Sequence, residues 1–233
     1  MIEVLKLQRK FGDYVAIDDL NLSIDKGESF AILGPNGAGK TTLIKVLSTV
    51  LRPTSGTIKI NGHDIIEDAE EVKRQIGVVS HNSFLYEELT ARENLEFYSR
   101  LYRISDNKKI DTLLDAIELN FRADDLVSTF SRGMLQRLSI ARSLLHGPEV
   151  LLLDEPATGL DVKSKHTFFE MIKEQNKGGK TVVLTTHHLE EAEELCQKVA
   201  IMDRGRVIKS GAIDEIKSEI GSLEEAFVRF TKG

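Results

Sequence analysis

A glycine-rich loop that ends in a lysine and a threonine carries the clearest chemistry in this sequence. Residues 34–41 fit the pattern G-x-x-x-x-G-K-[ST]. Such glycines let backbone N–H groups point at the α- and β-phosphates of a nucleotide, the lysine reaches the β- and γ-phosphates, and the threonine hydroxyl ligates Mg²⁺. The sequence therefore predicts a site for a nucleoside triphosphate such as ATP, with Mg²⁺. The residues assigned to this phosphate loop are Gly34, Pro35, Asn36, Gly37, Ala38, Gly39, Lys40, Thr41 and Thr42.

The segments on either side of the phosphate loop have the patterns of a strand and a helix. Residues 30–33 form a short apolar run typical of a buried strand, and apolar residues recur at helical spacing from Leu43 to Leu47. A glycine-rich turn that matched the pattern by chance would not be expected to lie between two such elements. The loop is therefore interpreted as functional.

A second chemical cluster follows an apolar strand later in the chain. Residues 151–153 are three leucines that run directly into Asp154 and Glu155. An α/β sheet presents ligand-binding groups at the carboxyl ends of its strands, and in phosphate-loop enzymes an aspartate there holds Mg²⁺. We therefore assign Asp154 to the metal and Glu155 to the general base that activates water against the γ-phosphate. The alternative, that both acids only end a strand, is disfavoured by the presence of the phosphate loop.

Composition and charge limit the classes of protein to which the chain can belong. Its 233 residues and 41% hydrophobic content suit one domain over residues 1–233. The 31 basic and 37 acidic side chains give a net charge of −6, so no nucleic acid partner is expected. The single cysteine, Cys196, is expected to be a buried structural thiol. Since the sequence has no signal peptide or membrane-spanning run, a membrane role is expected to depend on a partner.

The order of the apolar patterns divides the chain into three parts. The first third is rich in short strands, including one expected at residues 64–66 after a hairpin turn. The middle third, about residues 84–146, has the pattern of a helical lobe, with a capping box at Thr90–Glu93. Strand and helix patterns then alternate over residues 150–202, which predicts a parallel sheet buried on both faces. The predicted fold class is α/β.

These motifs together resemble the nucleotide-binding subunit of an ABC transporter. The resemblance covers about Val4 to Phe230 and implies a P-loop NTPase of ABC-ATPase architecture. That architecture has a mixed β core, an N-terminal antiparallel β subdomain and an inserted helical lobe. Besides the phosphate loop, the motifs that carry the resemblance are residues 130–137, 153–156, 159–161 and 186–187, in the family's order and spacing.

The resemblance also implies how such a subunit works. Two chains form a head-to-tail dimer, either a homodimer or a heterodimer with a similar subunit. Each ATP lies between one chain's phosphate loop and the other chain's signature segment. Hydrolysis drives a separate integral membrane permease, so the chain is expected at the cytoplasmic face of the cell membrane, attached through that permease.

The signature segment, residues 130–134, departs from the family's usual Leu-Ser-Gly-Gly-Gln. Arg132 and Met134 replace a glycine and the glutamine. The resemblance assigns the Ser131 hydroxyl and the Gly133 N–H to the γ-phosphate of the opposite ATP. A plain helix N-cap is the alternative for Ser131. Arg132 either adds charge at this site or faces solvent.

Three further positions receive roles from the resemblance. His187 would contact the γ-phosphate and help to hold the attacking water and the base, with the adjacent His188 as its rival. Asp161 matches the carboxylate that crosses the dimer interface. Phe11 matches the aromatic residue that stacks on adenine; the alternative is that Phe11 belongs to the core and Tyr14 stacks on the base.

His81 stands where most of the family has a glutamine. Mg²⁺ prefers oxygen ligands and holds its waters tightly, so His81 is expected to reach the metal through a bound water rather than directly. The alternative is a surface histidine in a loop.

The transported cargo is inferred only from finer resemblances. Residues 81–95 and 129–134 look most like the haem exporter ATPases of cytochrome c maturation. Drug and antibiotic exporters come next, and lipid exporters are a further alternative. A soluble ABC ATPase of translation or DNA repair is disfavoured, because those proteins carry a second cassette or a long coiled-coil insertion that this sequence lacks. Haem export is therefore the first expectation.

Overall fold

The computed structural model describes residues 1–80 and 82–231. Within these ranges the strands are β1 (Ile2–Phe11), β2 (Tyr14–Ile24), β3 (Ser29–Leu33), β4 (Ser55–Ile60), β5 (His63–Asp64), β6 (Ile76–Ser80), β7 (Val150–Asp154), β8 (Thr181–Thr186), β9 (Lys198–Asp203) and β10 (Arg206–Ala212). The α-helices are α1 (Lys40–Leu47), α2 (Ala69–Gln75), α3 (Ala91–Leu101), α4 (Asn107–Ala116), α5 (Arg132–Leu144), α6 (Val162–Lys177), α7 (Leu189–Leu195), α8 (Ile213–Ile220) and α9 (Leu223–Thr231).

The larger sheet determines where the functional groups lie. Among the described residues its strand order is β10-β9-β3-β8-β7-β6, and all neighbours except β9 and β10 are parallel. Alternate residues of β7 and β8 belong to two apolar clusters, one shared with α1 and the other with α6, so the sheet is buried on both faces as predicted. Leu33 pairs with Thr186, and Asp154 with Thr185. The carboxyl ends of β3, β7 and β8 therefore meet at one edge.

The smaller sheet is antiparallel and has the strand order β2-β1-β4-β5 in the described chain. Ile2 in β1 pairs with Ile24 on one side and Ile60 on the other, and all three are buried. The strand expected at residues 64–66 is shorter than predicted and ends at Asp64. The Asp64 carboxylate accepts a hydrogen bond of 2.8 Å from the backbone N–H of Ile66, which turns the chain away from the sheet.

Helices α3, α4 and α5 form a separate group with its own apolar cluster, which includes Leu95, Leu114 and Leu138. The predicted capping box is present: the Thr90 hydroxyl accepts from the Glu93 backbone N–H, and the Glu93 carboxylate accepts from the Thr90 backbone N–H. These helices are the inserted helical lobe of the predicted architecture.

The segment after β10 packs back onto the larger sheet. Leu223 and Ala226 of α9 are buried in the same cluster as Val199 of β9. Cys196 is also buried there, as predicted, and burial raises the pKa of its thiol. In the parts of the chain that the structure describes, no helix is both long and apolar enough to cross a bilayer.

Candidate active site

The phosphate loop connects β3 to α1, and its backbone adopts a conformation that favours glycine at two points. Gly37 and Gly39 have φ angles of 83° and 103°, in the left-handed region. A Cβ atom on Gly39 would also lie 2.5 Å from the Ala16 carbonyl oxygen. The loop therefore curls tightly into the N-terminus of α1, where backbone N–H groups and the helix dipole favour an anion.

Lys40 begins α1 and its side chain is almost fully enclosed, with 4% of its surface exposed. The ammonium group donates to the carbonyl oxygens of Gly34 and Pro35, at 2.7 and 3.1 Å, and lies 3.6 Å from Glu155 Oε1. Burial lowers the pKa of Lys40, and the negative charges of Glu155 and Asp154 partly oppose that shift. The Lys40 side chain thus folds back over the phosphate loop, and its ammonium group lies near the N-terminus of α1.

Thr41 and Asp154 bring hydroxyl and carboxylate oxygens together at the sheet edge. The Thr41 hydroxyl donates to Asp154 Oδ1 at 3.1 Å, and the Thr185 hydroxyl donates to the same oxygen at 2.6 Å. Asp154 is 4% exposed, so its carboxylate is held in place with little contact with water. Oxygen donors of this kind are those that Mg²⁺ prefers, so the residues present fit a magnesium ion.

Glu155 follows directly in a strained conformation, with a φ angle of 47° that a residue with a Cβ atom rarely adopts. Its backbone N–H donates to the Thr185 carbonyl oxygen at 3.0 Å. Its carboxylate lies beside Lys40, with Oε1 3.6 Å from the ammonium nitrogen. A side chain kept partly exposed beside the phosphate loop is suited to act on water there.

His187, at the end of β8, lies next to Glu155. Its Nδ1 is 3.4 Å from Glu155 Oε1, but the two groups are not aligned as a hydrogen bond. The His188 ring packs against the His187 ring, with 4.0 Å between centroids, and its backbone N–H donates to the Thr186 hydroxyl. Of the two histidines, His187 is therefore the one placed beside the proposed base.

Phe11 and Tyr14 face each other across the β1–β2 hairpin, and 43% and 61% of their surfaces are exposed. The Arg9 guanidinium lies 4.4 Å from the centre of the Phe11 ring and covers one of its faces. Both aromatic residues line a cavity of about 220 Å³ with the phosphate loop, so neither belongs to the core and the choice between them stays open. The other residues that line this cavity are Ala16, Asn36, Gly37, Gly39, Lys40, Thr41, Thr42 and Glu155.

The signature segment and Asp161 lie apart from this cavity in the described chain. Ser131 caps α5, and its hydroxyl accepts from the Met134 backbone N–H at 3.3 Å. Asp161 caps α6 by accepting from the Ser164 backbone N–H at 2.9 Å. Gly133 is buried in the first turn of α5. Residue 81, to which the sequence assigned an outer-shell metal role for His81, lies outside the described residues.

Two residues of the site region were missed by reasoning from sequence. Thr185 had no motif to mark its contact with Asp154. An acidic run such as residues 190–194 is typical of a solvated first turn of a helix, but Glu191 is only 3% exposed. It accepts a hydrogen bond of 2.7 Å from the Thr186 hydroxyl and pairs with Lys165 at 3.0 Å. The sequence did contain one sign of this burial: Glu191 lies four residues before Leu195, so the two side chains share one face of α7.

The fold and site define a phosphate-loop nucleoside triphosphatase. Residues 17–158 match the family described as ABC transporter, and this chain therefore belongs to the ABC transporter family. It is 42% identical over 217 residues to the daunorubicin resistance ATP-binding protein DrrA3 of Streptomyces coeruleorubidus, covering 92% of this chain and 69% of the relative. It is 37% identical to the linearmycin resistance ATP-binding protein LnrL of Bacillus subtilis, covering 95% and 72%.

Solved structures agree with this assignment. The structure of an ATP-binding subunit of an ABC transporter matches with a TM-score of 0.90 and 33% identity, over 100% of both chains. A dimeric ATP-binding cassette in a post-hydrolysis state, bound to ADP and Pi, matches with a TM-score of 0.82 and 29% identity, over 91% of this chain and 98% of that one. The predicted ABC-ATPase architecture is therefore confirmed, and the chain is an ABC ATPase.

Proposed function

We propose that this chain is the ATP-hydrolysing subunit of a drug or antibiotic exporter. The observation that carries the proposal is the convergence of Lys40, Asp154 and Glu155 at one sheet edge, which supplies a phosphate-binding cation, a metal ligand and a base. The drug class rests on the relatives, two of which are named for resistance to daunorubicin and linearmycin. These names favour the drug exporter, which was the second expectation from sequence, over haem export for cytochrome c maturation, which gains no support from them.

Each side chain of the site would have a separate role in ATP hydrolysis. The glycine-rich loop and Lys40 would hold the β- and γ-phosphates, and Phe11 or Tyr14 would cover the base. Thr41 and Asp154 would hold Mg²⁺, which when bound supplies positive charge against the phosphates. Glu155 would take the proton of the attacking water, because its carboxylate is partly exposed and faces the loop. His187, 3.4 Å from Glu155, would hold that carboxylate and the water in place.

A second nucleotide-binding chain is proposed to complete the site. Ser131, Gly133 and Asp161 lie outside the phosphate-loop cavity, which suits contact with a nucleotide on another chain. The dimeric cassette that resembles this chain supports a dimer, either a homodimer or a heterodimer with a similar subunit. His81 is proposed to act on the metal through water, on sequence grounds alone.

The partner that the proposal requires is an integral membrane permease, with this chain attached to it at the cytoplasmic face of the membrane. The helical lobe offers an apolar surface for it: Phe84, Tyr86 and Phe97 are 58%, 45% and 41% exposed. Exposed aromatic residues that lie together are enriched at protein interfaces. The whole chain, residues 1–233, is proposed to be one nucleotide-binding domain with its lobe at about 84–146.

Transport by the purified complex tests this proposal. The chain would be co-purified with its membrane partner, reconstituted in vesicles with outward-facing ATPase subunits, and supplied with MgATP. Daunorubicin is the first probe, because it appears in the name of one relative, and haem is the competing probe. Uptake of daunorubicin by the wild type but not by the Glu155→Gln variant is expected. ATP-dependent uptake of haem without uptake of the drug would overturn the drug assignment.

A further inference from the structure

Arg132, the residue that departs from the usual signature sequence, packs against a glycine in a different loop. A Cβ atom on Gly159 would lie 2.6 Å from Arg132 Nη1, 2.8 Å from Cζ and 3.1 Å from Nε. Because these three atoms are at similar distances, the guanidinium plane lies against the Gly159 backbone. Glycine suits position 159 for two reasons. Its φ angle of 73° lies in the left-handed region, and the absence of a side chain leaves space for the guanidinium. In the described ranges, Arg132 makes no hydrogen bond or ion pair that competes with this contact.

A second contact joins the start of α5 to α6. Gly133 is buried against Ser164 in the first turn of α6, and a Cβ atom on Gly133 would lie 2.8 Å from Ser164 Cβ. The Ser164 hydroxyl donates to Asp161 Oδ2 at 2.7 Å, and its backbone N–H donates to Oδ1 at 2.9 Å. The start of α5 is thus packed against both the loop before α6 and the first turn of α6. These two contacts hold the helix ends in one relative position.

The loop that Arg132 covers runs from the proposed base to the start of α6. It contains two tight turns, in which the Thr158 backbone N–H donates to the Glu155 carbonyl oxygen at 3.3 Å and the Leu160 N–H donates to the Ala157 carbonyl oxygen at 3.1 Å. Glu155 itself has the strained φ angle of 47°. The two turns restrict the backbone torsions between Glu155 and Leu160. A shift of this loop would therefore also move the backbone of Glu155.

We propose that Arg132 is a positioning residue for hydrolysis: by packing on Gly159 it ties residues 156–160, and through them Glu155, to the start of α5. The inference rests on the proposed role of Glu155. Its consequence is that contact at the start of α5, such as a second chain's nucleotide would make, changes the position of the base in the chain's own site. The flat guanidinium face, rather than its charge, performs this role.

Hydrogen exchange and steady-state kinetics on the full chain test the inference separately. Arg132→Ala is expected to speed amide exchange at residues 158–160, measured without nucleotide, and to lower kcat for ATP about tenfold while the KM for ATP stays within about twofold. Arg132→Lys is expected to resemble Arg132→Ala, because an ammonium has no flat face. Lys163→Ala removes another exposed cation nearby, on α6, and is the matched control, with wild-type exchange and kcat expected.

A double-mutant cycle with Gly159→Ala measures the contact itself. That substitution strains the left-handed turn in any background but collides with the guanidinium only when Arg132 is present. The loss of kcat in the double variant is therefore expected to be smaller than the product of the two single losses. Multiplicative losses, wild-type exchange in Arg132→Ala, or full activity in Arg132→Lys would each overturn the inference. If wild-type chain failed to hydrolyse ATP while the exchange result held, the proposed function would fall and the contact would stand.

Discussion

The Lys40 ammonium lies 3.6 Å from the Glu155 carboxylate, so the proposed phosphate-binding cation and the proposed base are already neighbours. Lys40 is enclosed by the loop, and its ammonium also donates to two backbone carbonyl oxygens. Burial lowers its pKa, while the adjacent carboxylate favours the charged form. Nucleotide phosphates that entered the loop would therefore replace the two carbonyl oxygens as partners of the Lys40 ammonium. The Glu155 carboxylate would then be free of Lys40 and able to act on water.

The first prediction concerns that cation. Lys40→Ala removes the one ammonium in the loop, and charge-assisted hydrogen bonds contribute roughly 1.5–3 kcal/mol, so the Kd for MgATP is expected to rise by at least about tenfold. Isothermal titration calorimetry measures this change. Lys45→Ala, on the exposed face of the same helix, is the control and should bind MgATP like the wild type. Equal affinities for the wild type and Lys40→Ala would remove the phosphate-loop assignment.

The second prediction separates binding from chemistry at Glu155. Glu155→Gln keeps the shape and the hydrogen-bonding capacity of the side chain but cannot accept the proton of water. MgATP should bind, kcat should fall by about 100-fold or more, and a dimer should accumulate. Size-exclusion chromatography with MgATP and a phosphate-release assay report the two effects. A variant that hydrolyses ATP at the wild-type rate would show that another residue is the base.

A third prediction tests which chain's nucleotide Ser131 faces. Ser131 lies at an exposed helix start outside the phosphate-loop cavity, so Ser131→Arg should leave ATP binding by the monomer intact. It should block dimer formation when combined with Glu155→Gln, because the larger side chain would intrude on the opposite nucleotide. Analytical ultracentrifugation with MgATP distinguishes monomer from dimer. Loss of ATP binding by the monomer would place Ser131 in its own chain's site instead.

A fourth prediction concerns the hydroxyl that holds Asp154. Thr185 donates to Asp154 Oδ1 at 2.6 Å, and residues that orient a metal ligand typically contribute 10- to 100-fold to metal affinity. Thr185→Val keeps the shape of the side chain but removes the hydrogen bond, so the Mg²⁺ concentration for half-maximal ATPase activity is expected to rise about tenfold. Thr181→Val, at the other end of β8, is the comparison variant. An unchanged Mg²⁺ dependence in Thr185→Val would mean that Asp154 needs no such support.

The parts of this molecule that sequence predicted well are those that depend on local pattern. The phosphate loop requires glycine at positions such as Gly39 for reasons of backbone conformation, and apolar runs identify buried parallel strands without knowledge of their neighbours. The capping box at Thr90 is equally local. Each of these features is encoded within a few residues, so the sheet and the phosphate loop could be predicted.

The features that sequence did not predict depend on contacts between distant elements. Thr185 contacts Asp154 across 31 residues of sequence. Glu191 is buried because Lys165 balances its charge and the Thr186 hydroxyl donates a hydrogen bond to it. Arg132 is exposed, which was one of its two expected outcomes, but its packing on Gly159 was not predicted. Such pairings follow from the register of strands and the approach of helix ends, which periodicity does not describe. Cargo is less predictable still, because the proposed ATPase subunit would contact it only through a membrane partner.

The last prediction concerns stability at mild acidity and the half-buried His146, which follows α5. Its Nε2 lies 2.9 Å from the Ile76 carbonyl oxygen, and its ring stacks on Tyr102 with 4.2 Å between centroids. Burial lowers the pKa of His146 below its ordinary value of 6.5, and the backbone hydrogen bond opposes that shift only in part. The charged groups that lower it further are Lys109, Arg142 and Lys180.

Because folding lowers the pKa of His146, protonation of this residue favours the unfolded chain. At pH 7.5 and above the imidazole is mostly neutral in both the folded and the unfolded protein, so its ionisation contributes little to stability there. As the pH falls below 6.5, the unfolded chain takes up a proton that the folded chain resists, so the free energy of unfolding decreases. His146→Gln should lower stability at pH 7.5 by about 1 kcal/mol, through the altered hydrogen bond and lost stacking, but flatten the decline towards pH 5.5. Urea unfolding at both pH values measures this, with His166→Gln on the exposed face of α6 as the control. A decline in His146→Gln as steep as in the wild type would assign the acid sensitivity to other groups.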